Sequence, residues 1–284
     1  MSHWKMFFLG TLIEKMRNFY NIILLTALDQ VRQKSFSVLL GIGILLVLLI
    51  RSCNSGSYVV NGQQVDTVTL AWHTSTIAFQ VIVGAMYLMV VLLAMKVFNR
   101  DFEDGSAVLF LSRPVRRWQY ACGRVAGVWI VSSAFMFVLH CAIFCIMWMK
   151  TGGTIPGFLF ASLTCFVNLL FVVALVCLLS LFMPDIIAAL AGVAVIVIGF
   201  VSDGGYQLMN SEMVRSALPP EMAGNPALWR IIYPKLFMVQ SFAGSLITKN
   251  DFTNLGPVHP LLNVLLFSAA LIVVFVLCFN RKEI

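Results

Sequence analysis

Six runs of mainly apolar residues dominate this 284-residue sequence, at about Phe36–Ile50, Thr76–Phe98, Gly123–Met149, Pro156–Phe182, Ile186–Val201 and Pro260–Phe279. A helix rises about 1.5 Å per residue and the hydrocarbon layer of a bilayer is about 30 Å thick, so roughly 20 apolar residues make a span. Inside that layer no water is at hand for backbone N–H and C=O groups, and a helix satisfies them within its own segment. The expected fold is therefore all-α, a polytopic membrane protein with six transmembrane helices. Composition excludes the alternative of a soluble domain: 60% of residues are hydrophobic and 11% charged, against about 45–50% and 25% in soluble chains. So little chain remains between the runs that residues 1–284 read as a single membrane domain.

The connections are uneven. Met183, Pro184 and Asp185 alone separate the fourth and fifth runs, which predicts a helical hairpin. Residues 203–259 form the longest polar region, expected as an extracytoplasmic loop region, punctuated by Gly204, Gly205, Pro219, Pro220, Gly224 and Pro226. Within it, Trp229 to Leu246 is rich enough in apolar residues for one or two surface helices that dip partly into the interface. Ahead of the first run, residues 18–34 carry Phe19, Ile22, Ile23, Ala27 and Val31 at helical spacing, with Asp29, Gln30, Arg32 and Gln33 between them near the end. That pattern predicts an amphipathic helix. The run from Met6 to Ile13 is broken by Glu14 and lacks a small-residue cleavage site, so it does not read as a signal peptide.

Charge sets the expected orientation. Arg51, Lys150, Arg215, Arg230, Lys235 and Lys249 fall on one side of the six-span plan, and the other thirteen Lys and Arg fall on the opposite side. Basic residues are retained on the cytoplasmic side, so both termini and the connection between spans two and three are expected there. The net charge of +7 thus reflects topology, and no nucleic-acid partner is expected.

The connection between spans two and three is the long charged segment of the chain, Arg100 to Arg124, with the sequence RDFEDGSAVLFLSRPVRRWQYACGR. Asp101, Glu103 and Asp104 open it, and acidic residues offset the partial positive charge of a helix N-terminus. A short helix is expected to continue from Ser106 past Val108 and Leu109 to Leu111. Pro114 biases Arg113 away from helical dihedrals and ends it. Arg113, Arg116 and Arg117 then form a basic cluster. The plain reading is a solvated loop that obeys the charge rule. The sharper one is an amphipathic element lying at the membrane surface against another protein.

The order Arg100-Asp101-Phe102-Glu103-Asp104-Gly105-Ser106, then an apolar turn, then Leu111-Ser112-Arg113-Pro114-Val115 with Arg117, Tyr120 and Gly123 close behind, resembles the permease subunits of ABC-2 type transporters. The usual wording there is Arg-Glu-x-Glu-x-Gly-Thr followed by Leu-Ser-Lys/Arg-Pro-Val. Asp101 and Ser106 are mild departures. Chain length, span order and the Asn-Arg-Lys-Glu-Ile ending fit the same family. The resemblance implies that residues 99–122 are a cytoplasmic coupling segment that docks on a separate ABC ATPase, using Arg100, Asp101, Glu103, Asp104, Gly105, Ser106, Leu109, Leu111, Arg113, Pro114, Arg117 and Tyr120. It also implies that residues 18–34 are an elbow helix bordering that site, that two permease copies assemble, and that ATP and Mg are held by the partner. The expected setting is the plasma membrane, in bacteria the inner membrane. A non-transporting scaffold or sensor that docks an ATPase is the alternative reading.

Other chemistries find little support. The sequence has no Gly-x-x-x-x-Gly-Lys-Ser/Thr to cradle a nucleotide, and no His-Glu-x-x-His, Gly-x-Ser-x-Gly or Cys-x-x-Cys. No catalytic residue and no cofactor on this chain is expected. His140, Cys141 and Cys145 on the third run, near Met136, Met147 and Met149, are soft ligands of the kind that select copper(I), as a permease for metalloenzyme maturation would need. Cys and Met also pack as ordinary apolar residues, and packing is the preferred reading. Asn168 and Gln80 are expected to hydrogen-bond between helices.

Overall fold

In the computed structural model the backbone is described for residues 2–53, 59–60, 63–64, 67–105, 115–151, 156–209, 233–248, 252 and 258–282, with side chains for 16–52, 73–105, 115–149, 157–207, 233–248, 252 and 258–282. The elements are α1 (Ser2–Arg32), α2 (Lys34–Cys53), β1 (Val59–Val60), β2 (Gln63–Gln64), α3 (Thr67–Glu103), α4 (Arg117–Thr151), α5 (Pro156–Ser180), α6 (Asp185–Met209), α7 (Leu236–Thr248) and α8 (Pro260–Arg281). The two strands form a two-residue antiparallel ladder with Val59 opposite Gln64. Among the described residues the rest of the regular structure is helical.

Six of these helices, α2 to α6 and α8, are long and apolar enough to cross a membrane. This is an integral membrane protein by the length and composition of its helices. The spans differ in how much protein surrounds them: 61% of the most apolar window is buried in α3 and in α5, 44% in α4, 28% in α6, 22% in α8 and 11% in α2. Thus α3, α4 and α5 make the centre, and α2, α6 and α8 turn apolar faces outward. Phe79, Ile82, Val90 and Phe98 of α3 are fully buried, as are Leu169, Val172 and Val176 of α5. Phe275 and Phe279 of α8 pack on Phe98, with ring centroids 5.1 and 5.7 Å apart.

Helix α1 starts well before residue 18, because nothing between Ser2 and Arg32 interrupts it except Gly10, whose cost of about 1 kcal/mol is too small to end a helix. It packs on α4 through two small residues one turn apart. A Cβ added at Gly123 would stand 2.7 Å from Ile22 Cγ2, and one at Gly127 would stand 2.6 Å from Thr26 Cβ. Small residues at this spacing let two helix backbones approach closely. The chain then breaks at Gln33 and resumes at Lys34 as the first span.

Three sequence expectations change. Span five does not stop near Val201: α6 continues through Asp203, Gly204 and Gly205 to Met209. Buried Asp203 belongs to this helix, not to a polar loop. Second, of the stretch expected as one or two surface helices, residues 229–232 lie outside the described residues, and α7 is not at the surface, since Leu236, Met238, Val239, Ala243 and Ile247 are buried. Its backbone lies directly on α5, with no room for a side chain at Gly157 beside the Leu246 carbonyl. Third, α3 and α4 run past the ends of their apolar runs. At 37 and 35 residues they are about 55 and 52 Å long, well beyond the hydrocarbon thickness. Their extra turns carry the polar groups described next.

Candidate functional site

Asp101 and Glu103 do not open a helix. They lie in the last turn of α3, which has no breaker between Phe98 and Glu103, and Arg117 and Tyr120 lie in the first turn of α4. Asp104 and Gly105 follow α3, and Gly105 adopts a left-handed φ of 66° that turns the chain out of the helix. Ser106, Leu109, Leu111, Arg113 and Pro114, and with them the expected short helix, fall outside the described residues.

The flanks of this segment meet in a buried ionic network. Arg124, one turn beyond Tyr120 on α4, pairs through Nη2 with Asp101 Oδ1 and through Nη1 with Asp29 Oδ2 of α1 at 3.2 Å. Its Nε donates to Tyr120 Oη at 3.4 Å, and Nη1 also donates to Thr26 Oγ1 at 3.4 Å. Tyr120 in turn donates its hydroxyl to Asp101 Oδ2. Arg124, Asp101 and Tyr120 are all buried. Arg suits this position because its guanidinium is charged at every accessible pH and presents several donors in a fixed plane. One side chain therefore joins α1, α3 and α4.

Further bonds tie the surrounding ends together. Arg117 Nη1 donates to the carbonyls of Asn280 at 3.4 Å, in the last turn of α8, and of Lys282 at 3.0 Å, just after it. Lys282 Nζ donates to Leu181 O at 2.9 Å in the α5–α6 turn and lies 4.8 Å from the centre of the Phe102 ring. Asn99 Nδ2 donates to Asp185 Oδ1 at the start of α6. These contacts gather the end of α3, the start of α4, the α5–α6 turn and the C-terminal end of α8 at one end of the bundle, the charged end. Arg100 pairs with Asp104 at 3.3 Å on its surface, and Glu103 stands exposed.

The structure thus brings Asp101, Tyr120 and Arg117 into fixed positions. It adds Arg124, Asp29 and Thr26, which sequence reasoning did not count as site residues. Arg124 left a signal, being a charge inside the start of an apolar run. Asp29 left a weaker one, as an acidic residue in the otherwise basic stretch from Arg17 to Lys34.

The third-span sulfurs occupy a different setting. His140 is buried, stacked on Phe79 at 4.5 Å between centroids, with Nδ1 2.8 Å from Ser162 Oγ. Cys145 is exposed and Cys141 half-buried. Among the described residues no three His, Cys, Asp or Glu side chains come together as a metal site. The expected cross-helix amides are present: Asn168 Nδ2 donates to Tyr87 Oη at 2.7 Å and to Leu236 O at 3.0 Å, and Gln240 Nε2 donates to Gln80 Oε1.

No protein-family model and no curated protein matches this sequence.

Proposed function

We propose that this chain is the membrane-spanning permease subunit of an ABC-2 type exporter, and that its charged end faces the cytoplasm and docks a separate ATPase. The observation that carries the reading is the anchoring of both flanks of residues 106–114. Asp101 on one side is held by Arg124 and Tyr120, and Arg117 on the other is held by the end of α8. A docking segment must pass a displacement from its partner to the spans. Load on this one reaches α3 and α4 directly, and reaches α1 through the Arg124–Asp29 pair. The resemblance of residues 100–117 to the coupling motif of those permeases supplies the identity of the partner. Two copies of the chain would form the transport unit, and ATP and Mg would be held by the partner.

The test is coexpression with an ABC ATPase from a gene neighbouring this one; the lack of any such neighbour would favour the scaffold reading. Leu109→Asp places a charge in the apolar turn offered to the partner, a change costly by a few kcal/mol where such a contact is buried. Copurification should be lost while the chain still inserts. Gly105→Leu forces a branched side chain into the left-handed region, a cost of about 1–2 kcal/mol, and should misdirect the segment. Glu103→Ala should leave binding intact but weaken the response of ATP hydrolysis to substrate. Normal binding and transport by all three variants would reduce the segment to a basic loop. Binding without any transport activity of the wild-type chain would favour a scaffold or sensor instead.

A further inference from the structure

Beside the ionic network, an open groove of about 520 Å³ lies between the α1–α2 break and the end of α3, lined by Asp29, Arg32, Gln33, Lys34, Lys96 and Arg100. Its charges are not all engaged. Asp29 is paired with Arg124 and Arg100 with Asp104. Arg32, Lys34 and Lys96 are exposed and pair with no carboxylate among the described residues. Three cations facing one concavity repel each other, and an anion between them relieves that repulsion.

The surroundings specify what kind of anion. On each of the three helices, the residues four and eight positions from the cation in one direction are exposed and apolar. Leu28 and Leu24 precede Arg32, Val38 and Ile42 follow Lys34, and Leu92 and Leu88 precede Lys96. Residues at i and i+4 share a helix face, so each cation heads an outward-facing apolar column. There is no Lys, Arg, Asp or Glu between Lys34 and Arg51, or between Asp66 and Lys96. The cations therefore stand where two spans leave the hydrocarbon layer. A soluble phosphate would use the cations and ignore the columns, and an acidic protein surface would not follow them into the bilayer. A lipid uses both.

We propose that this groove binds the headgroup of an anionic phospholipid, its phosphate held by Arg32, Lys34 and Lys96 and its acyl chains lying along the exposed columns of α2 and α3. The site does not depend on the transporter reading, because it needs neither an ATPase nor a substrate. Its place beside Asp29 gives the lipid a hold on the α1–α2 break, next to the Arg124 network.

The experiment uses the full chain in nanodiscs of equal phosphatidylglycerol and phosphatidylcholine, with retained lipid identified by native mass spectrometry after release. Phosphatidylglycerol should be retained in preference. Arg32→Gln with Lys34→Gln and Lys96→Gln should lower its affinity about a hundredfold, and Lys96→Gln alone about fivefold, at the usual strength of a basic group near a lipid surface. A charge-matched control, Arg17→Gln with Arg51→Gln and Arg281→Gln, should keep the lipid. Val38→Asn with Leu92→Asn leaves the cations in place and should weaken lipid retention without changing any binding of inorganic phosphate. Equal loss in the control would show general surface attraction and overturn the site. Displacement of the lipid by millimolar inorganic phosphate, or indifference to the Val38 and Leu92 changes, would overturn the lipid as occupant. Should the triple variant fail to insert, Lys96→Gln decides, since unchanged retention there is itself contrary.

Discussion

The charged end and the interior of the bundle both bury polar groups, and they do so with different chemistry. At the charged end Arg124 faces two carboxylates, one of them half-exposed, and a phenol. In the interior the partners are neutral: Asn168 with Tyr87 and a carbonyl, His140 with Ser162, Gln80 with Gln240. The magnitudes account for the division. A charged residue at the centre of a span costs at least about 2.5–3.5 kcal/mol, whereas an interhelical hydrogen bond returns about 0.6 kcal/mol on average. Neutral pairs are therefore affordable at depth. A full ion network belongs where helices project past the hydrocarbon and where Asp29 keeps contact with water.

The comparison is most sharply tested at Arg124. Arg124→Met removes the guanidinium that faces both carboxylates while keeping an unbranched side chain of similar reach. Stripping one partner from a buried pair costs about 3–5 kcal/mol, so a large drop in unfolding free energy is expected. Adding Asp101→Leu to the same chain should recover much of that loss, because the buried carboxylate is then gone as well. If the single change costs no more than a neutral interior substitution, the division drawn here is wrong.

A smaller effect is expected where α1 meets α4. Gly127→Leu drives a side chain into Thr26, and overpacking of this kind costs about 1–3 kcal/mol. The damage should concentrate in α1, raising amide exchange from Phe19 to Arg32 while α5 stays protected. Uniform loss across the bundle would mean that α1 is no separable layer.

Smallest is the interior. Asn168→Leu deletes the bonds to Tyr87 and Leu236, for about 0.6 kcal/mol on average and up to about 1.7 kcal/mol. A loss of several kcal/mol, measured by the same unfolding assay, would show that α7 is held to α5 by this amide more than by its apolar face.

Much of the architecture was legible because the bilayer imposes a length and a polarity on every span. The runs at 76–98, 123–149 and 260–279 needed no knowledge of their neighbours. The ends were less legible. A hydropathy pattern stops where lipid stops, but a helix stops where its hydrogen bonds lack support. Gln119, Tyr120 and Ala121 extend α4 ahead of its apolar run because protein, not lipid, surrounds them. Asp203, Gly204 and Gly205 read as loop residues and are helical, on a helix that packs on Tyr233 at Gly199 and on Phe237 at Gly204.

What the sequence determined by itself, then, is the number of spans, their order, and the concentration of charge in the connection after α3, since each follows from local composition. It did not determine which charges meet. Asp29, Asp101 and Arg124 are separated by 72 and 23 residues, and no local pattern links them. They meet because Gly123 and Gly127 let α1 settle onto α4 at a distance where a guanidinium reaches both acids. That approach is a property of backbone packing between helices, which tertiary structure alone decides.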